Sequence, residues 1–169
     1  TGMLRDSVDM AITDWRSQGH AKATLTAQTI TANHALARLD VDIKLAPGPQ
    51  LRFDNLRVAG NDRMRIKRIE DIAGLPTGQV FSPKVLDRVA RRLRRTGVFS
   101  VVALNESDTI GLDDVINIEA QFVETKPRRF GFGADISTQE GLGLSAYWLH
   151  RNLFGGAERL RLAGKVSGL

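Results

Sequence analysis

Cysteine is absent from all 169 residues, which excludes a disulfide framework and any thiolate metal centre. No apolar run approaches the roughly eighteen residues that a membrane-crossing helix needs. A signal peptide is lacking as well, since Thr1 opens without a basic start and an apolar core. The chain reads as an internal piece of a longer protein, so the missing leader says nothing about location. Catalytic constellations are missing too. His20, His34 and His150 are scattered, with no carboxylate partner at ligand spacing. His34 is expected in a hairpin turn and His150 at a strand end, both solvated. Glu106, Asp108, Asp113 and Asp114 lack the spacing and turn glycine of a calcium loop, and are expected at a solvated hairpin tip. Gly155-Gly156 is followed by no Lys and Ser/Thr pair, so it is no phosphate loop. These absences point to a non-enzymatic protein without metal or cofactor.

With 42% apolar and 25% charged residues, the composition is that of a folded chain rather than a disordered one. The formal charge of +5 admits an anionic partner, nucleic acid or a lipid surface, and equally a merely Arg-rich composition. Arg88, Arg91, Arg92 and Arg95 fall at i, i+3, i+4 and i+7, a single stripe down a helix. Arg63, Arg65, Lys67 and Arg68 add charge nearby. A nucleic-acid binder would set such a stripe against phosphates, but the stacking aromatics or GxxG clamp of small RNA-binding modules are not there. The stripe is read first as a solvated face, second as a contact for anionic headgroups or an acidic partner. No nucleic acid is expected.

Two passages before Pro127 share one pattern. Leu4, Val8, Ala11, Ile12 and Trp15 recur at three- and four-residue intervals, an amphipathic helix that Gly19 ends. Alternation through Ala21–Ile30 and through Leu39, Val41, Ile43 and Leu45 then predicts two strands. Ser82 and Pro83 open a second helix with Leu86, Val89, Ala90 and Leu93 on its apolar face. Gly97 stops it, and strands fit Val98–Asn105 and Val115–Glu124. At an offset of 78 residues Val8 falls on Leu86, Ala11 on Val89, Ile12 on Ala90, Trp15 on Leu93 and Gly19 on Gly97. That correspondence predicts an internal repeat. The second copy also has a first strand, Leu51–Ala59, and a short helix near Met64–Ala73. Its order of strand, helix, helix, strand, strand is an α+β unit, marked off in front by Pro47-Gly48-Pro49.

The last forty-odd residues differ, holding eight of the sixteen glycines. Phe130, Phe132, Ala134 and Ile136 alternate with Arg129, Gly131, Gly133 and Asp135. Leu142, Leu144, Ala146 and Trp148 alternate with Gly143, Ser145 and Tyr147, and Leu160, Leu162, Gly164 and Val166 with Arg159, Arg161 and Lys165. A period of two gives each strand one apolar face. Such a sheet suits two settings. It can lie half-buried on a water-exposed domain, or form part of a membrane barrel, whose strands run roughly nine to eleven residues with an apolar outer face. In the second setting Tyr147 and Trp148 would suit an interfacial aromatic girdle.

Repeated units of this order and length, followed directly by glycine-rich amphipathic strands, resemble the BamA/TamA-type outer-membrane assembly factors. The likeness rests on Val58-Ala59-Gly60-Asn61, Leu75, Gly78 and Gly97-Val98-Phe99 with Val101. It rests also on Pro127 through Gly133, like the opening of a first barrel strand, and on Arg151 through Gly155, like the turn after the second. The resemblance, somewhat nearer the TamA branch, implies POTRA-like β-α-α-β-β units and the start of a transmembrane β-barrel. Residues 1–48 would then be the later part of one unit, 49–126 a whole unit, and 127–169 three barrel strands. It implies an outer-membrane protein with residues 1–126 in the periplasm, acting on unfolded outer-membrane or secreted clients, beside outer-membrane lipid and an inner-membrane or periplasmic partner.

Clients would pair with backbone, since an edge strand offers N–H and C=O groups to any extended chain. In that family order the edge is the strand holding Val98, Phe99, Ser100, Val101, Val102, Ala103 and Leu104, with helix Pro83–Thr96 beside it. The other candidate is the first barrel strand, Arg128–Ser137, through Phe130, Gly131, Phe132, Gly133 and Ala134. Gly131 and Gly133 would weaken its interior, which suits an opening seam and sheet curvature equally. A two-partner secretion transporter is the first alternative and a soluble nucleic-acid-binding α+β protein the second. Three such strands with no others leave an apolar face and open edges in water. This 169-residue chain is therefore expected to associate or swap strands, and light scattering from a dilute sample should give a mass above the monomer.

Overall fold

The computed structural model describes residues 2–33, 38–138 and 141–168, so His34 lies outside the described residues. The elements run α1 (Gly2–Ser17), β1 (Thr24–Asn33), β2 (Arg38–Ala46), β3 (Arg52–Ala59), α2 (Ile66–Ala73) and α3 (Pro83–Arg95). They continue with β4 (Phe99–Ile110), β5 (Val115–Glu124), β6 (Arg128–Ser137), β7 (Gly141–Arg151) and β8 (Arg159–Ser167). The fold is α+β followed by an all-β antiparallel segment. Among the described residues three sheets form, in the orders β1-β2, β3-β5-β4 and β6-β7-β8. Among the described residues no helix is long and apolar enough to cross a membrane, which leaves strands untouched by that test.

The repeat is realised in three dimensions. α1, β1 and β2 recur as α3, β4 and β5, and both helices stop at a glycine with positive φ, Gly19 at 105° and Gly97 at 67°. An L side chain rarely adopts that conformation, so glycine ends the helix at little cost. The copies differ in burial. Leu93 is completely covered, whereas its counterpart Trp15 is one-third exposed.

By its contacts the chain falls into two compact units. One comprises residues 1–57, 75–88 and 105–119. Its core holds Leu51, Phe53, Phe81, Ile116 and Ile118, with the rings of Phe53 and Phe81 tilted at 47° and 5.4 Å apart. The edge of β3 is partly covered here. Phe53 N–H donates to the Gln79 carbonyl, Gly78 N–H to that of Phe53 and Phe81 N–H to that of Leu51. Glu106 and Asp108, expected at a solvated tip, lie within β4, because that strand runs on to Ile110. Glu106 is ion-paired with Arg16 and Asp108 with Lys22, at 3.7 Å for the latter. Asp113 and Asp114 do form the turn, both with positive φ.

The other unit comprises residues 58–74, 89–104 and 120–169. Met64, Ile69, Val89 and Leu93 are fully buried in it, and Phe99 stacks on Phe122 at 4.5 Å. Burying each such side chain contributes about 1.5–3 kcal/mol. β5 shows the clean alternation of a central strand, with Ile116, Ile118, Ala120 and Phe122 all buried. Asn55 meets Asn117 and Asp62 meets Glu124 at the same sequence separation of 62, so β3 and β5 run parallel. Parallel neighbours need a long crossover, here α2, α3 and β4. Thr125 N–H donating to Val98, and Ser100 Oγ to Val123, make β4 and β5 antiparallel.

Arg88, Arg91, Arg92 and Arg95 of the arginine stripe are all exposed. Arg92 also folds over the end of α2, donating to the carbonyls of Ala73 and Gly74. Gly74 is the left-handed cap of that helix, and its N–H donates to Glu70 at 2.8 Å. A cation at the negative end of a helix satisfies carbonyls that lack helical partners. Arg92→Ala should lower stability in urea by about 1 kcal/mol. Arg88→Ala should change it by less than about 0.5 kcal/mol.

Candidate functional site

Two features stand out for exchange with another chain. The first is β4, at the end of its sheet next to β5. Val98, Phe99 and Val102 turn inward and are buried, Ala103 and Leu104 are half-buried, and Ser100 and Val101 are exposed, Val101 by half. Ser100 Oγ is already used on the Val123 carbonyl at 3.0 Å. What β4 offers outward is therefore mainly backbone. The buried residues Phe99 and Val102 are three apart rather than two, so the strand carries an irregularity there of the kind a bulge makes. Arg94 of α3 donates to the Val102 carbonyl at 3.1 Å, tying the helix to this strand.

The second feature is the β6-β7-β8 meander. Its register places Phe130 opposite Trp148 and Trp148 opposite Leu162, with Phe132–Ala146–Gly164 and Ala134–Leu144–Val166 in the rows beyond. The apolar residues of these rows thus share one face. That face is open, with Phe132 86%, Ile136 85% and Phe130 64% exposed. The opposite face is mostly polar, with Leu149 and Ala163 as its apolar members. Lys165 pairs with Asp135 at 3.1 Å across β7, and the Arg161 guanidinium lies 4.7 Å from the centre of the Tyr147 ring. Tyr147 therefore faces away from Trp148, which corrects the expectation that both belong to one aromatic girdle. Strict alternation separates neighbours. The Tyr147 ring lies over Gly131, where any Cβ would collide with it, and Ser145 Oγ similarly crowds Gly133. The two glycines make room for side chains of β7.

The turn from β7 to β8 carries dense polar chemistry. Arg151 N–H donates to Pro127 and Asn152 N–H to Glu158, both at 2.7 Å. Asn152 Oδ1 accepts from Ala157 N–H at 3.1 Å. The Glu158 carboxylate accepts from the N–H groups of Phe154 and Gly156 at 3.2 and 3.1 Å. Gly155 presents its carbonyl to Arg65 N–H at 3.1 Å, and Arg68 Nε donates to Gly156 at 3.2 Å. The turn is thus pinned to the start of α2. Gly155, with φ of 78°, passes so close to the Arg63 carbonyl that a side chain would not fit. Glu124 holds the same segment from β5, accepting from the N–H groups of Asp62, Arg63 and Met64.

Residues 51–124 match the family model of the POTRA domain, the surface antigen variable number repeat. This segment is a POTRA domain. The chain resembles BamA from Haemophilus ducreyi lacking POTRA domains 1–3, with a TM-score of 0.84 and 18% identity over 99% of its length. It spans 31% of that structure. BamA POTRA3–5 from Haemophilus influenzae matches over 72% of the chain and 47% of its own length, with a TM-score of 0.61 and 19% identity. CdiB from Escherichia coli matches over 96% and 29%, with a TM-score of 0.58 and 16% identity. No curated protein sequence matches the chain. The resemblance read in the sequence holds for the POTRA domain and, in fold, for the BamA structures, and nothing singles out the TamA branch.

Beyond the POTRA domain, sequence reasoning placed a turn at Arg151 through Gly155 but missed its contacts, since nothing local links Glu158 back to Phe154 or Gly155 to Arg65. His150 also departs from expectation. It is buried beside Trp148, with ring centres 5.8 Å apart. Among the described residues no group of three or more metal-ligating side chains is present. Glu158 titrates below its ordinary value of 4.5, chiefly through hydrogen bonding of its own backbone N–H, then through those of Phe154 and Gly156 and the charge of Arg65, all outweighing partial desolvation. A depressed carboxyl contributes stability above its unfolded value and loses it as pH falls through the folded one. The protection factors of the Phe154 and Gly156 N–H groups, observed exchange referred to the intrinsic rate at each pH, should therefore be high at neutral pH and fall in acid below 4.5. In Glu158→Gln they should be low at neutral pH and flat across the same range.

Proposed function

We propose that the chain joins the periplasmic arm to the membrane barrel of an outer-membrane protein that assembles or translocates other proteins. Residues 1–48 are the later part of one POTRA-like unit, 49–126 a whole unit, and 127–169 the opening strands of the barrel. The carrying observation is a POTRA domain followed directly by an antiparallel meander whose apolar face is open along three strands. In water such a face is unfavourable at about 25 cal/mol per Å². Against lipid hydrocarbon that penalty disappears, while the ion-paired opposite face turns to the lumen. Residues 1–126 then face the periplasm.

The mechanism asks for no reaction. An extended client adds as a strand to β4, through backbone hydrogen bonds that demand no particular sequence. It passes to β6, the edge strand where the barrel begins. Breadth of clients follows from the chemistry, since main-chain groups are common to all of them. The likeness to CdiB supports a second reading, a secretion transporter with one dedicated substrate.

The chain has no cysteine, so single cysteines report position cleanly. Val101→Cys and Ala134→Cys should form disulfides with cysteine-bearing peptides copied from several unrelated outer-membrane strands, several-fold above Asp71→Cys on exposed α2. Adducts with only one dedicated substrate would establish the secretion reading. Adduct yields no higher than Asp71→Cys at both positions would defeat strand addition altogether.

A further inference from the structure

One end of the meander holds a cleft that the assembly reading leaves unused. It has a volume of 630 Å³ and is lined by Arg63, Arg128, His150, Asn152, Leu153, Phe154 and Gly155. Two side chains in its wall are over nine-tenths buried, His150 at 8% and Asn152 at 5% exposure. Each has a polar atom without a partner among the described residues, Nδ1 of His150 and Nδ2 of Asn152. The orientation of Asn152 is fixed, because its Oδ1 already accepts from Ala157 N–H. Its amide nitrogen is therefore a donor with nothing to bond. Leaving such a group buried and unsatisfied costs about 1–3 kcal/mol, which a ligand or water would recover. Arg63 and Arg128 line the same cleft, and no carboxylate does.

The register decides where the cleft lies. Arg128 pairs with His150, and His150 with Leu160, one row beyond Leu149 and two beyond the Phe130–Trp148–Leu162 row. Since strand neighbours alternate, Arg128 and His150 project on the same face as Phe130 and Trp148. The cations therefore cap the end of the apolar face, about 7 Å along the strand from its first large side chains. Phe154 at 75% and Leu153 at 40% exposure extend apolar surface around the cleft mouth. A ligand with an anionic head and apolar tails would meet the guanidinium groups with one end and this surface with the other.

We infer that this cleft binds the phosphate of an anionic lipid headgroup at the edge of the barrel, with Phe154 and Leu153 against the acyl chains. This rests on the reading of the meander as membrane-facing. Phosphate favours the bidentate geometry of Arg, and the Asn152 amide adds a third donor. Bound lipid would hold the 152–158 turn, and through Arg65 and Arg68 the start of α2, at the membrane surface.

The test uses the whole chain in dodecylmaltoside, followed by NMR. A lipid-soluble spin label should broaden Leu144 and Leu162. Dihexanoylphosphatidylglycerol should shift the Asn152 side-chain amide and the His150 ring saturably, while dihexanoylphosphatidylcholine and inorganic phosphate should be weaker by about tenfold or more. Arg63→Gln with Arg128→Gln should weaken phosphatidylglycerol by about tenfold while other resonances stay in place. Phe154→Ser should weaken the lipid and leave phosphate unchanged. Equal response to phosphatidylcholine, equal response to inorganic phosphate, or no response would each overturn the assignment. Broadening without a response in the cleft would sink only the lipid site. Absent broadening would remove the membrane reading and the site with it.

Discussion

The antiparallel register of β6, β7 and β8 is the constraint on which the rest depends. Side chains alternate along a strand, so a slip of one residue would turn Phe130, Phe132 and Ile136 to the polar face and bring Arg129 and Asp135 to the apolar one. Two features hold the pairing. Tyr147 occupies the space that Gly131 leaves, and Asp135 reaches Lys165 across the middle strand. Neither would survive a slip. With the register in place, one face becomes continuous and apolar, the other is paired and charged, and Arg128 and His150 come to rest at the apolar end.

The 152–158 turn converts that local order into an attachment. Its own carboxylate, Glu158, ties the backbone into one shape, and its carbonyls at Gly155 and Gly156 engage Arg65 and Arg68. The meander is therefore not merely next in sequence to the POTRA domain. It is hydrogen-bonded to the first turn of α2, and Glu124 braces the same segment from the last POTRA strand. In the proposed reading, a load taken up on β4 is carried by the same compact unit that contains the opening strand of the barrel.

Much of this was legible beforehand. The helices and strands stand where the 3.6- and two-residue periods placed them, and the 78-residue correspondence picked out α1 and α3 with their strand pairs. Those features are local, repeated over many residues, and each residue adds to the same signal. The capping bonds of Arg92 were not legible, because its spacing is that of a solvated stripe while its partners are the carbonyls of another helix. Glu106 was misread because β4 runs on from the expected end at Asn105 to Ile110 and Glu106 meets Arg16. His150 and Tyr147 were misread because strand position says little about what folds over a strand end, or which face a girdle residue takes.

Periodicity and glycine placement, properties of the sequence alone, determined the elements, their order, the repeat and the existence of an amphipathic meander. They also made a catalytic centre an unpromising expectation. Tertiary structure alone decided that Arg92 caps α2 and that the turn after β7 docks on α2. It alone created the cleft of Arg63, Arg128, His150 and Asn152. The physical reason is range. Periodic burial is encoded by neighbours a few residues apart, whereas Arg65 and Gly155 are 90 residues apart and share only a hydrogen bond. A single long-range bond leaves no periodic trace in sequence, and it is such bonds that assemble this site.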